Sequence, residues 1–279
     1  MPETFTPTPG ALSSSYTLPN NTEPANAETL KTNVLKPLAN GLAGVAALVT
    51  GTPLAGRPRL TVTTTTITVG PLAVRTAGGL VETTTNTVID STNLEGGGSF
   101  SGNTWYYVYV SVVNGAFSFE ISTTGPTLNL RNKTGDASKL YLGTVRTSFA
   151  AGLLGSRTVG NRTVYDTDVL VLNGGTQTTW ASVDCSGCVP PTAVMALINV
   201  TLLNNTAQSR ICSVRVNGAL APAISLTATS KYLVDLGGTT SSSINTTFTE
   251  IALDAGRAFE YQTGNSSSFV TINVVGYIE

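Results

Sequence analysis

Short runs of alternating apolar and polar residues dominate the chain from residue 60 onward. A period of two places every second side chain on the same face, so such runs predict β-strands with one buried face. Residues 60–69 read LTVTTTTITV. Their apolar phase slips from Leu60 and Val62 to Ile67 and Val69, and we expect a β-bulge within the threonine run.

The strongest local pattern lies at residues 104–122. Asn114 and Gly115 form the dipeptide preferred in a type I′ hairpin turn. A two-residue loop there pairs Val110 with Phe119 and keeps the register consistent on both sides of the turn. One face of the hairpin is then entirely apolar: Val108, Val110, Val112, Phe117, Phe119 and Ile121.

The opposite face of this hairpin carries an aromatic stripe, Trp105, Tyr107 and Tyr109. Aromatic rings stack on sugars and contribute strongly to protein interfaces, so the stripe is a candidate binding surface for host glycans or for a partner protein. The alternative is that a second layer of the protein covers the stripe, because aromatic side chains are mostly buried.

Composition supports an all-β fold. Threonine makes up about one residue in six, and β-branched residues favour strands. Short strands with frequent turns predict two β-sandwich or jelly-roll-like units, at residues 51–155 and 156–279. Residues 1–50 precede them.

Residues 1–50 divide into an extended arm and a short helix. Proline recurs through residues 1–25 among polar residues, which predicts an extended docking arm. Residues 26–50 predict a helix with a heptad-like apolar seam. Either the helix packs on its own β domain, or it forms a short bundle around a symmetry axis. The seam consists of Leu35, Leu38, Leu42, Val45 and Val49.

Candidate chemistry is sparse. The chain has no histidine, which excludes a Ser-His-Asp triad, a Cys-His dyad and histidine metal ligands. Cys185 and Cys188 form a C-x-x-C motif followed by prolines, and together with Cys212 they are expected to be structural or inert thiols, with a local disulfide as an alternative. Asp166 and Asp168 lie on one side of a strand, where a solvated face is expected rather than a Ca²⁺ site. We therefore predict no catalytic residue, no metal and no cofactor.

Charge is low throughout. Only 11% of residues are charged and the formal net charge is −1, so we expect no nucleic-acid partner. No apolar run is long enough to span a bilayer, and the first residues lack the pattern of a secretory signal. A surface with few charges is expected to be buried against copies of the same chain.

Three groups of short motifs carry a family resemblance. They are Tyr16-Thr17-Leu18-Pro19 through Leu38-Ala39-Asn40; Thr104-Trp105-Tyr106-Tyr107-Val108-Tyr109 with Asn114-Gly115, Glu120-Ile121-Ser122 and Tyr141-Leu142-Gly143-Thr144-Val145-Arg146-Thr147; and Val189-Pro190-Pro191 with Val214-Arg215-Val216-Asn217-Gly218, Phe259-Glu260-Tyr261 and Val274-Val275-Gly276-Tyr277. Together they resemble virion proteins of tailed bacteriophages, in particular tail-fibre-like proteins. The chain departs from that family in lacking a long repetitive shaft.

The resemblance implies a β-rich homotrimeric appendage on a virion that is assembled in the bacterial cytoplasm. Residues 1–50 would dock it to other virion proteins, and host surface glycans are a candidate partner. We therefore expect a non-enzymatic structural subunit. The alternatives are a capsid decoration or head-fibre protein, and a carbohydrate-binding or depolymerising module built on the aromatic stripe.

Overall fold

The chain is an all-β protein in a computed structural model that describes residues 4–5, 16–17, 57–76, 79–204, 210–219, 234–238 and 243–279. The predicted fold class is confirmed. Within these residues the helical structure is a single 3₁₀ turn at Ser91–Asn93, and no helix there is long and apolar enough to cross a bilayer.

Within the described residues the chain forms twenty strands. The first ten are β1 (Thr4–Phe5), β2 (Tyr16–Thr17), β3 (Leu60–Val62), β4 (Ile67–Val69), β5 (Leu72–Thr76), β6 (Gly79–Thr83), β7 (Thr87–Ile89), β8 (Trp105–Val113), β9 (Ala116–Ser122) and β10 (Asn132–Lys133). The second ten are β11 (Asp136–Arg146), β12 (Ser156–Val159), β13 (Arg162–Gly175), β14 (Ala181–Asp184), β15 (Met195–Asn204), β16 (Arg210–Val216), β17 (Val234–Gly238), β18 (Ser243–Ala252), β19 (Ala258–Thr263) and β20 (Ser268–Ile278).

The chain divides into two compact units. The smaller unit comprises Met1–Leu54 and Ala73–Glu82, and its described elements are the antiparallel pair β1–β2 and the two-stranded sheet β5–β6. The predicted helix at 26–50 and its apolar seam lie outside the described residues. The larger unit comprises Ala55–Leu72 and Thr83–Glu279.

One eight-stranded antiparallel sheet organises the larger unit, with the order β18-β15-β20-β13-β12-β3-β4-β7. We call it the large sheet. β20 is an inner strand, third from one edge, and pairs with β13 on one side and β15 on the other. Alternation along β20 predicts that Val270, Ile272, Val274 and Ile278 face inward; the first three are completely buried, whereas Ile278 is half-buried.

A four-stranded sheet, β14-β19-β16-β17, shares a core with the large sheet. Phe259 and Val214 from this smaller sheet belong to the same buried cluster as Ile198 and Ile272 from the large sheet. The two sheets therefore enclose an apolar layer, as in a β-sandwich.

A second four-stranded sheet, β10-β11-β8-β9, contains the hairpin predicted at residues 104–122. The predicted register is confirmed, since Val110 pairs with Phe119 and Val113 with Ala116. Asn114 and Gly115 have φ of 52° and 78°, and a type I′ turn requires positive φ at both positions.

The prediction of a β-bulge within residues 60–69 is wrong. The chain reverses there instead, and β3 pairs with β4 in a hairpin. The Thr66 backbone N–H donates to Thr63 Oγ1 at 3.1 Å, and the Thr63 N–H donates to the Thr66 carbonyl at 2.9 Å. Threonine hydroxyls can satisfy the backbone of a turn, so the threonine run that looked like a strand closes a loop.

The division predicted at residue 155 falls between β11 and β12. β12 pairs with β3 on one side and with β13 on the other, so the large sheet contains strands from before and after that position. The boundary and the jelly-roll topology stay predictions, but the two β segments share one sheet.

Gly276 in β20 has no room for a side chain. A Cβ there would lie far inside contact distance of the Thr163 carbonyl oxygen and 3.1 Å from Leu197 Cδ1. We expect Gly276→Ala to force β20 away from β13 and to destabilise the protein by about 2–3 kcal/mol, measured by urea unfolding.

Gly264→Ala is the matched control. A Cβ at Gly264 would meet its nearest neighbour, Ile211 Cβ, at an ordinary contact distance of 3.8 Å. Equal stability of the two variants would contradict the close β13–β20 approach.

Candidate interaction surface

The predicted aromatic stripe is mostly inside the protein. Tyr107 and Tyr109 are buried, with 6% and 0% of their surface exposed, and they form a cluster with Tyr141. Trp105 is half-buried and packs edge-to-face on Tyr277. This burial agrees with the alternative interpretation, in which a second layer of the protein covers the stripe. Tyr107 and Tyr109 therefore offer no open ring face for a sugar.

The loop between β9 and β10 covers the two tyrosines. Tyr109 donates its hydroxyl hydrogen to the Thr124 carbonyl at 2.7 Å. Gly125 lies over the Tyr107 ring, where an added Cβ would be 3.5 Å from Cζ. Burial, which disfavours the charged phenolate, raises the pKa of both tyrosines. The hydroxyl groups therefore serve as neutral hydrogen-bonding groups.

A compact group of charges closes the same end of this sheet. The buried ammonium of Lys133 contacts Glu95 at 2.6 Å and Glu120 at 2.8 Å, and Lys139 contacts Glu120 at 2.9 Å. The hydrogen bonds from Lys133 and then from Ser122 lower the pKa of Glu95. Burial alone would lower the pKa of Lys133, but its bonds to Glu120 and Glu95 outweigh that effect and raise it. Two cations and two carboxylates neutralise one another here.

A second internal charge group surrounds the side chain of Glu279, which is almost fully buried. Its Oε2 contacts Arg57 at 2.6 Å, and its Oε1 accepts hydrogen bonds from Tyr141, Thr144 and Thr192 at 2.5–2.7 Å. The guanidinium and the three hydroxyl groups thus all bond to the Glu279 carboxylate, which connects the segments of the chain that carry them.

None of the three cysteines forms a disulfide, and all three are buried, with at most 1% of their surface exposed. All three belong to the core that the large sheet shares with β14-β19-β16-β17. The hydrogen bond with Cys188, and then burial, raise the pKa of Cys185. A protonated, buried thiol is a poor nucleophile. The arrangement matches the prediction of structural thiols.

Asp166 and Asp168 face different partners. Arg157 Nε lies 3.5 Å from an Asp166 oxygen, and Asn199 donates to Asp168 at 3.2 Å. Within the described part of the chain, no three His, Cys, Asp or Glu side chains come together in a way that could hold a metal ion.

The side of the large sheet opposite its core is unusually apolar, and we call it the outer face. Cross-strand pairs Asn199–Phe248 and Leu203–Ile244 alternate with the buried positions of β15 and β18. Ile244 and Phe248 are 68% and 50% exposed, and Leu170 is 53% exposed. The exposed apolar side chains of this face are Ile244, Phe248, Phe269, Leu170, Val164, Val159 and Val88.

Four charges on the outer face are paired within the chain: Arg162 contacts Glu250 at 2.7 Å, and Arg157 lies 3.5 Å from Asp166. The exposed carboxylate of Asp168 accepts a hydrogen bond from Asn199 on the same face and has no cation partner among the described residues. Threonine hydroxyls fill intervening positions, and Thr201 and Thr246 hydrogen-bond across β15 and β18 at 3.0 Å. The face therefore combines exposed apolar groups with hydroxyl groups and a small net charge.

Sequence reasoning did not find the outer face. Alternation within residues 194–204 predicts one shared face for Val194, Ala196, Ile198, Val200 and Leu202; the last four are buried, whereas Val194 is exposed. The available signal for the outer face was the apolar residues between the inward positions, such as Leu203 and, in β20, Phe269. A half-buried strand is expected to carry mainly polar residues there, and this chain places large apolar side chains among polar ones such as Asn199 and Thr201.

No protein-family model matches the sequence, and no curated protein matches it either. The resemblance to virion proteins of tailed phages therefore stays a prediction.

The Lys133 group generates a pH-dependent prediction. Replacing Lys133 with Met removes the ion-pair partner of Glu95 and leaves Glu120 with Lys139 alone. We therefore expect the free energy of unfolding to fall by about 1–2 kcal/mol at pH 7. The wild type gains stability from the lowered pKa of Glu95 above about pH 4.5 and loses it as pH falls through that lowered pKa. The difference in the free energy of unfolding between the wild type and Lys133→Met, measured by urea unfolding, should therefore decrease as the pH falls from 5 to 3.

Arg131→Met is the control, because Arg131 is exposed and its change removes the same unit of charge. It should unfold like the wild type at each pH. A Lys133→Met deficit that stays constant down to pH 3 would show that the ion pairs do not produce it.

Proposed function

We propose that this chain is a non-enzymatic structural subunit of a tailed-phage virion, a short tail-fibre-like or surface appendage that works as a homotrimer. The observation that carries the proposal is the outer face of the large sheet, which exposes the large apolar side chains of Ile244, Phe248 and Leu170 and carries little net charge. Its role is to pack against copies of the same chain.

The physical argument starts from the cost of exposed apolar surface. Soluble monomers rarely leave a large contiguous apolar patch in water. Eight strands about 4.8 Å apart make a face roughly 35 Å wide, which is wide enough for an interface of about 800 Å² per partner. Apolar burial favours association at this face.

Charge determines which partner fits. Arg162 and Glu250 neutralise each other, and so do Arg157 and Asp166, so each face carries little net charge to repel a second copy. A strongly charged partner would find only the single unpaired carboxylate of Asp168 there. With only 11% charged residues in the whole chain, a neutral sibling copy is the partner that matches best.

The remaining roles follow from the family resemblance. Residues 1–50 dock the assembly to other virion proteins, on the tail or on the capsid surface. Tyr107 and Tyr109 serve the internal packing of the subunit, so contact with a host glycan would use other residues.

Self-association can be measured directly. We expect the full chain to sediment as a trimer at micromolar concentration. Replacing Ile244 and Phe248 together with Thr keeps β-branched residues in the strand but removes apolar contact area, and should shift the sedimentation coefficient toward a smaller species.

Leu128→Thr is the matched control, because Leu128 is a fully exposed apolar residue in a loop away from the large sheet. It should sediment as the wild type does. A wild-type chain that sediments as a monomer would overturn the proposed assembly.

The location on a particle needs a separate experiment. We expect antibodies raised against the full chain to label intact phage particles from a culture that carries this gene, at the tail or the capsid surface in electron micrographs. Particles that lack the protein would refute the virion role even if the purified chain forms trimers.

A further inference from the structure

Arg146 is a half-buried cation at the end of β11, paired across the sheet with Trp105 of β8. Its guanidinium carbon lies 5.4 Å from the centroid of the Trp105 ring. No carboxylate of the described residues lies within ion-pair distance of it. Arg57, Arg157, Arg162 and Arg215 each have such a carboxylate.

The Nε atom of Arg146 is buried and has no hydrogen-bond acceptor among the described residues. A buried donor without an acceptor costs free energy, and the cost is larger for a charged group. Nε–H and a neighbouring Nη–H together form the fork that binds the two oxygens of a carboxylate or sulfate. The unsatisfied donor therefore sits on the edge of the guanidinium that is suited to an oxyanion.

A second guanidinium borders the same place. A Cβ added at Gly187 would lie 3.9 Å from an Arg146 terminal nitrogen. Arg257 donates to the carbonyls on either side of Gly187, to Ser186 at 2.9 Å and to Val189 at 3.1 Å. Both cations thus border the turn that contains Gly187, which also carries the carboxylate of Asp184.

The neighbouring carboxylates are already engaged. Asp184, on the same turn, accepts the Ser186 backbone N–H at 2.7 Å. Glu279 is enclosed by Arg57 and three hydroxyl groups. Neither is bonded to Arg146, so the acceptor that its buried Nε–H lacks has to come from outside the chain.

We propose that Arg146, assisted by Arg257, forms a binding site for a small oxyanion of the carboxylate or sulfate class. The source of that group is either a free anion or the acid group of an acidic saccharide. The contact is ionic rather than a stacking one, because Arg146 and Tyr277 already contact the Trp105 ring. This site lies apart from the proposed self-association and does not depend on it.

The test is isothermal titration calorimetry on the full chain at low ionic strength, where charge attraction is least screened. The probes are sodium glucuronate and sodium sulfate, with glucose as the neutral analogue. We expect both anions to bind the wild type and glucose not to bind. Arg146→Met should weaken anion binding by about tenfold or more, because it removes the fork and keeps an aliphatic stem over Trp105.

Two further variants keep the result interpretable. Arg131→Met removes an exposed arginine and should bind like the wild type. Arg146→Lys retains the charge but lacks the fork, so it should fold even if the Met variant does not, and bind more weakly than the wild type.

The two anions separate the possible sources. Tighter binding of glucuronate than of sulfate supports an acidic saccharide, and equal binding supports a free oxyanion. The proposal is overturned if neither anion binds the wild type, or if the Arg146 variants bind both anions as tightly as the wild type does.

Discussion

The alternation of side chains along β20 is the constraint on which most of this protein depends. β20 lies between β13 and β15, so one set of its side chains must enter the shared core and the other must face outward. Val270, Ile272 and Val274 fill the core without exposed surface. Gly276 lets β13 approach closely at the far end of the strand. The core and the outer face are thus two consequences of one strand's period.

Charge is used sparingly and locally in this fold. The Lys133 group, the Glu279 group and the Arg162–Glu250 pair each neutralise themselves within the chain. Exposed pairs of this kind contribute little to stability, whereas the buried groups fix which loops and strands meet. The result is a surface on which apolar contact, rather than long-range attraction, selects a partner. Arg146 departs from this rule, because its guanidinium is half-buried and has no carboxylate partner among the described residues.

The two candidate surfaces suit different partners for the same physical reason. The outer face presents apolar groups and paired charges, so it favours a large, neutral and shape-complementary partner such as a sibling copy. The Arg146 site presents a guanidinium with no carboxylate partner among the described residues, beside the guanidinium of Arg257, so it favours a small anion. In a structural subunit that carries both, the outer face serves assembly and the Arg146 site serves the binding of small anions.

The sequence alone determined the all-β class, the hairpin at residues 104–122 with its register, and the burial of Val270, Ile272 and Val274 in β20. It could do so because turn residues and a period of two act locally. Only the tertiary structure decided that Tyr107 and Tyr109 are covered, that the threonine run at 63–66 closes a turn, and that strands on both sides of residue 155 share a sheet. It also decided which charges find partners. Burial and strand order depend on contacts between residues far apart in the chain, and no local pattern encodes which distant segment will cover a given face.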